Sequence, residues 1–146
     1  MNSHTRLPRG TDRVQLGIAG YRFGGQLEAS APVSLAWLLN HLPLEGALRQ
    51  ARWSGEAGWY PLRTEVRLDR ENATSHPRPG QILLYAGTEN EPELLVPYGP
   101  CVFAYQGGPL SGNHIITLDE PDRLRAVGEA LQLKGAQSFC LKLATN

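Results

Sequence analysis

The chain lacks every feature that would mark it as membrane-spanning, secreted or nucleic-acid-binding. No apolar run approaches the ~20 residues that cross a bilayer as a helix; the longest, such as Ile82-Leu83-Leu84-Tyr85-Ala86, have strand length. The N-terminal stretch MNSHTRLPRGTDR is polar and lacks the apolar centre of a secretory signal. We therefore expect a cytoplasmic protein, with a mobile tail over residues 1–12 and one domain over residues 13–146. Net charge is lacking too. Fourteen basic residues balance fourteen acidic ones, and the arginines are spread along the chain, so no field steers it to nucleic acid or a membrane surface. Cysteine is scarce: Cys101 and Cys140 lie far apart, each inside an apolar run, with no paired histidines. That excludes a zinc signature and makes a disulfide unexpected in a reducing compartment. No phosphate-binding glycine loop opens a helix and no Gly-x-Ser-x-Gly elbow occurs, so neither cofactor nor metal is expected.

What is present suits a single core. A chain of 146 residues, 41% of them apolar, buries roughly two-thirds of its unfolded surface. Glycine and proline punctuate short apolar runs, most densely over residues 71–118. Val14 to Ala19 and Gln26 to Ala29 read as strands separated by Gly20, Gly24 and Gly25. Ala31 to Leu42 reads as a helix with Ser30 as its cap and a Leu35, Leu38, Leu39, Leu42 stripe. Leu44 to Arg52 and Ala57 to Leu62 form a predicted hairpin, and Thr64 to Arg70 a connection or edge strand. Gln81 to Ala86, Glu93 to Val96, Cys101 to Tyr105 and Asn113 to Leu118 follow as strands, with Pro97-Tyr98-Gly99-Pro100 ending the second. A helix from Asp119 and a last strand, Ser138 to Leu143, complete the chain. Many short strands and two helices without βαβ alternation predict a mainly β fold: a closed antiparallel barrel with the helices capping its ends.

That order, together with ARWSGEAGWYPL, ENATSHPRPGQILLYAG and LLVPYGPCVFAYQGGPLSGNHIITL, resembles a bacterial family of cyclophilin-like proteins of unknown function. The resemblance covers roughly residues 13 to 145 and implies a cyclophilin-like barrel. Cyclophilins proper carry a phenylalanine-rich segment ending in Phe-Met-Gln-Gly-Gly-Asp. Here only Gln106-Gly107-Gly108 survives of it, at a different point of the chain. Prolyl isomerase activity therefore does not follow from the fold.

Candidate site residues sit on turns. His114 opens an apolar strand, and strict alternation would put it on one face with Ile116, and Asn113, Ile115 and Thr117 on the other. His76 precedes Pro77, which restricts its backbone to extended or turn conformations. With Glu56, a carboxylate flanked in sequence by Trp53 and Trp59 and expected to titrate high in an aromatic-walled pocket, these two histidines are the proton-transfer candidates. Arg52, Trp59, Glu71, Asn72, Tyr98 and Asn113 are the ligand-binding candidates. Arg52 would take a carboxylate in its fork; Tyr98 would stand exposed on the Pro97–Pro100 turn. Each also has a plain structural role open to it, as a solvated turn residue or a satisfied buried polar group.

The expected function is a site for a small polar carboxylate or amide metabolite at the barrel mouth, with proton-transfer chemistry open. The alternatives are a peptide- or proline-binding groove, or a non-catalytic accessory subunit acting through an interface. Small barrels of this kind often pair, so a homodimer is one expected state.

Overall fold

The computed structural model describes residues 12–144. Residues 1–11 of the expected tail lie outside the described residues. Asp12 is already tied down, its carbonyl accepting from the Leu27 N–H at 3.3 Å. Eleven strands and two α-helices follow in order. β1 (Arg13–Ile18) and β2 (Tyr21–Leu27) form a hairpin whose turn is Ala19-Gly20, both at positive φ (54° and 87°), as a two-residue primed turn requires. Gly24 and Gly25 are therefore strand residues, not turn residues. α1 (Pro32–His41) leads to β3 (Leu44–Gln50) and β4 (Gly55–Pro61). After a strap without regular structure come β5 (Ala73–Thr74), β6 (Gln81–Tyr85) and β7 (Glu93–Cys101). The small hairpin β8 (Ala104–Tyr105) and β9 (Gly108–Pro109) precedes β10 (Gly112–Leu118). A 3-10 turn over Pro121–Arg123 runs into α2 (Leu124–Lys134), and β11 (Gln137–Leu143) ends the fold.

Eight of these strands close a ring in the order β2-β1-β11-β3-β4-β7-β6-β10, with β10 pairing back onto β2; β5 is appended to β10. Every strand pairing is antiparallel. Closure leaves the ring no free edge. Alternate residues, including Val14, Leu16, Ile18, Phe23, Leu27, Ile82, Leu84, Leu94 and Val96, fill the interior. Leu35 and Leu38 from α1, and Leu124, Val127 and Leu131 from α2, join the same cluster. The helices thereby cap the barrel. Among the described residues no helix is long and apolar enough to cross a membrane.

Two departures from the sequence expectation have physical causes. β7 continues through Pro97 and Pro100, because beyond Leu95 its register with β6 has ended and its one strand partner is β4; on the other side the Pro97 carbonyl still takes Gly80 N at 3.0 Å, and the missing proline N–H costs no ladder bond there. The opposite parity, Ala57, Leu83, Tyr85 and Leu95, forms a second apolar cluster outside the barrel with Phe103 and Leu110. The segment around β8 and β9 is the cover of that outer cluster, not a ninth wall strand.

Tyr98 faces the interior and is only 9% exposed. Its ring fills the space where α2 has no side chain: a Cβ at Gly128 would lie 2.2 Å from the ring. Gly128→Ala should lower the unfolding free energy in urea by about 1–3 kcal/mol through overpacking, despite the ~1 kcal/mol that alanine gains in helix propensity. An unchanged or higher midpoint would show that the ring can move aside.

Candidate functional site

The polar residues nominated from the sequence fall in separate places. One group ties the strap after β4 to the start of α1. The Asn113 side chain is buried: its Oδ1 accepts from Glu71 N at 3.1 Å, and its Nδ2 donates to Ser34 Oγ at 2.9 Å and Asp69 O at 3.0 Å. The Glu71 carboxylate accepts from Ser34 N at 2.5 Å and Val33 N at 3.4 Å. It caps the helix that no neighbouring side chain caps, at the end where the dipole favours an anion. Asn72 sits at φ 51° and donates from Nδ2 to His114 O at 2.9 Å. Asn113 also lines a cavity of about 270 Å³, with Arg70, Ser75 and Tyr85 among its walls. His76 is exposed, with its backbone N–H on Thr74 Oγ1 at 3.0 Å.

His114 lies on the outer face. A bulge between His114 and Ile116 breaks the alternation, so His114 shares its face with Thr117, while Asn113 and Ile116 stay in register with the inward residues Leu84 and Ile82. His114 Nε2 is 2.9 Å from Thr117 Oγ1, which donates to Glu28 Oε2 at 2.8 Å. Burial holds the imidazole below its usual pKa, against a smaller upward pull from Glu28. Tyr98, expected on an exposed turn, instead donates its hydroxyl to Gln50 Oε1 at 2.6 Å and accepts from Gln132 Nε2 at 2.7 Å.

Arg52 and Trp59 do come together. They line an outer pocket of about 120 Å³, built from the β3–β4 turn, the loop between β6 and β7, and the first residue of β7. The turn is fixed by Ser54. Its Oγ donates to Ala104 O at 3.1 Å and accepts from Ala104 N at 3.0 Å, while its carbonyl takes Val102 N at 3.0 Å. Tyr85 fixes the loop by accepting the Glu89 and Asn90 N–H groups on its hydroxyl at 2.8 and 3.1 Å. The Arg52 guanidinium lies 5.7 Å from the Trp53 ring centroid, and among the described residues no carboxylate pairs with it.

The pocket is also lined by a residue absent from the sequence-based set. Glu93 is 6% exposed, and among the described residues its carboxyl makes no hydrogen bond or ion pair. Burial, and secondarily the nearby charge of Glu91, push its pKa up to about 8. The carboxyl expected in an aromatic-walled pocket is thus Glu93 and not Glu56, which is exposed and lies over Gly99. The signal available in the sequence is a carboxylate opening an otherwise apolar strand, Glu93-Leu94-Leu95-Val96.

The family model described as protein of unknown function (DUF3830) matches residues 14–143. This chain belongs to the DUF3830 family. No curated protein matches it. Among solved structures, this DUF3830 protein is similar to the "Structure of McbB in complex with tryptophan", with a TM-score of 0.73 and 18% identity. The match covers 91% of this chain and 45% of that one, so the chain spans less than half the length of McbB. At that identity the likeness is one of fold.

Two outcomes separate structural from binding roles in the DUF3830 chain. Asn113→Ala removes three hydrogen bonds of a buried group and should destabilise the protein by about 2–3 kcal/mol in chemical denaturation; a neutral result would free Asn113 for a ligand role. For Glu93 the sign follows from a folded pKa raised above the unfolded value of 4.5. The folded state holds the extra proton, so its contribution is full below pH ~4.5 and is lost as pH rises towards ~8. Glu93→Gln should abolish that decline and be more stable than wild type at pH 8. Parallel stability–pH curves for the two proteins would contradict it.

Proposed function

We propose that this protein binds a small polar metabolite bearing a carboxylate or amide group, and that the outer pocket is where it binds. One observation carries the reading: a buried carboxyl that has no partner among the described residues, opening on a pocket walled by Trp59 and rimmed by an arginine that no described carboxylate pairs. Buried polar groups are normally satisfied, and a ligand is the partner this one lacks. Arg52 offers a planar fork for a carboxylate. Glu93, protonated near neutrality, can give a proton to a bound molecule and take it back, the property a general acid–base needs. The fold neighbour McbB was solved in complex with tryptophan, which is consistent with a small-ligand role for a barrel of this kind. We take the barrel to be cyclophilin-like and bacterial, acting in the cytoplasm.

A proline-peptide groove is less well supported. It needs an open apolar channel, whereas Ala57, Leu83, Leu95 and Phe103 on the outer face are buried. The test is a thermal-shift panel of small carboxylates, amides, cyclic ureides and proline peptides, since a ligand of the folded state raises its melting temperature. We expect a hit among the carboxylates or amides that weakens at least tenfold in Arg52→Ala, as loss of a charge-assisted bond of about 1.5–3 kcal/mol implies. His76→Ala should leave it intact. Shifts with proline peptides alone, or with nothing, would overturn the reading.

A further inference from the structure

We propose that the ligand of this pocket also carries a primary ammonium group, and that the ammonium seats between Glu93 and Glu91 against the face of Trp59. This rests on the binding reading above and specifies the ligand's chemistry.

Charge is divided across the pocket. Arg52, from the β3–β4 turn, is drawn towards the Trp53 ring. Glu91 and Glu93 line the pocket from the loop and strand of the β6–β7 connection. Among the described residues no lysine or arginine pairs with either carboxyl. A cleft meant to hold an anion on Glu93 would have a cation beside that residue; here the neighbour is a second carboxylate. Other groups near Glu93 are committed or neutral. Opposite it on β6, Tyr85 uses its hydroxyl oxygen on the Glu89 and Asn90 amides. Its partner on β4 is Pro61, and Ser54 is bonded to Ala104. A neutral amide would satisfy Glu93 and leave Glu91 alone. An ammonium has three donors, enough for both carboxylates, and an indole face attracts it as well. The volume of about 120 Å³ admits only the head of such a molecule. Its apolar remainder would rest on Trp53, which is 52% exposed. An amine with a flat or aliphatic tail fits, as does an amino acid whose carboxylate reaches Arg52.

The proton balance distinguishes this ligand from its alternatives. In the empty pocket burial keeps Glu93 in its acid form up to about pH 8. Seating an ammonium converts it to the carboxylate, and the proton leaves to solvent. Binding near pH 7 therefore releases close to one proton, and affinity rises with pH towards that value. A ligand carboxylate resting on the Glu93 acid would release none and would weaken above it.

The experiment is calorimetric titration at pH 7 with phenethylamine, L-phenylalanine and the amine-free 3-phenylpropionate, each in phosphate and in HEPES, neither of which carries a primary amine. We expect the two amines to bind, with heats that differ between buffers by the ionisation of nearly one proton. Glu93→Gln should remove the buffer dependence and weaken binding at least tenfold. Glu91→Gln, at the exposed rim where folding is not at stake, should weaken it severalfold. If 3-phenylpropionate binds as tightly as the amines, through Arg52 and without proton release, the ammonium seat is wrong while the pocket stands. If the amines fail while another panel compound binds in an Arg52-dependent way, the ammonium seat is likewise wrong and the pocket still stands. Failure of every compound in both experiments would remove the pocket itself.

Discussion

Everything else in this fold depends on closing the ring between β2 and β10. Three residue pairs register that seam, Leu27 with Ile116, Gln26 with Thr117 and Gly25 with Leu118, and backbone bonds from Glu28 N to Ile115 O at 2.8 Å and from Asp119 N to Gly24 O at 2.9 Å extend it at either end. It works because Gly25 has no side chain; a Cβ there would lie 2.9 Å from Ile116, 3.1 Å from Leu118 and 3.2 Å from Val14. The bulge beside Ile115 contributes the other half, re-aiming β10 so that Ile116 and Thr117 pair with β6 on one side and β2 on the other. Once closed, the barrel has an inside committed to packing and an outside on which the remaining chain can be laid.

That division explains where the polar residues went. Asn113, Glu71 and Tyr98 sit at the ends of the interior and hold α1 and α2 in place through bonds to Ser34 and Gln132. Glu93 lies on the outward parity with Leu95, whose cluster also holds Phe103 and Leu110. Its pocket is closed in part by Ala104 of the surface hairpin. The same outer layer supplies Ser54 and Tyr85, which fix the two sides of the pocket.

The strands, both helices and the closed mainly β architecture are legible in the sequence because turn residues and apolar periodicity are local signals. Gly20 and the run Pro77-Arg78-Pro79-Gly80 punctuate the chain wherever it is read. What the sequence hides is non-local geometry. Pro97 and Pro100 look like a strand end until it is known that the register of β7 with β6 has ended by then and no ladder N–H is needed on that side. Alternation misassigns His114 and Thr117 because a bulge is invisible in a five-residue pattern. Arg52 and Trp59 stand out in the sequence and do share a pocket. Their companion Glu93 does not stand out, because its pocket is assembled by residues 51–54, 59, 90–91 and 104, which only the barrel brings together.

The double apolar coating of β7 has one more consequence. A strand with one wet face is kept in register by its hydrophobic pattern, since sliding by one residue would drown polar groups and expose apolar ones. In β7 that safeguard is absent, because Leu94 and Val96 feed one core while Leu95 feeds the other. A slipped strand would exchange two oily faces at little hydrophobic penalty. What resists the slip is Glu93, which a one-residue shift would turn into the barrel interior, away from the pocket that opens to solvent. The acid that gives the pocket its chemistry is also the mark by which its strand finds its place.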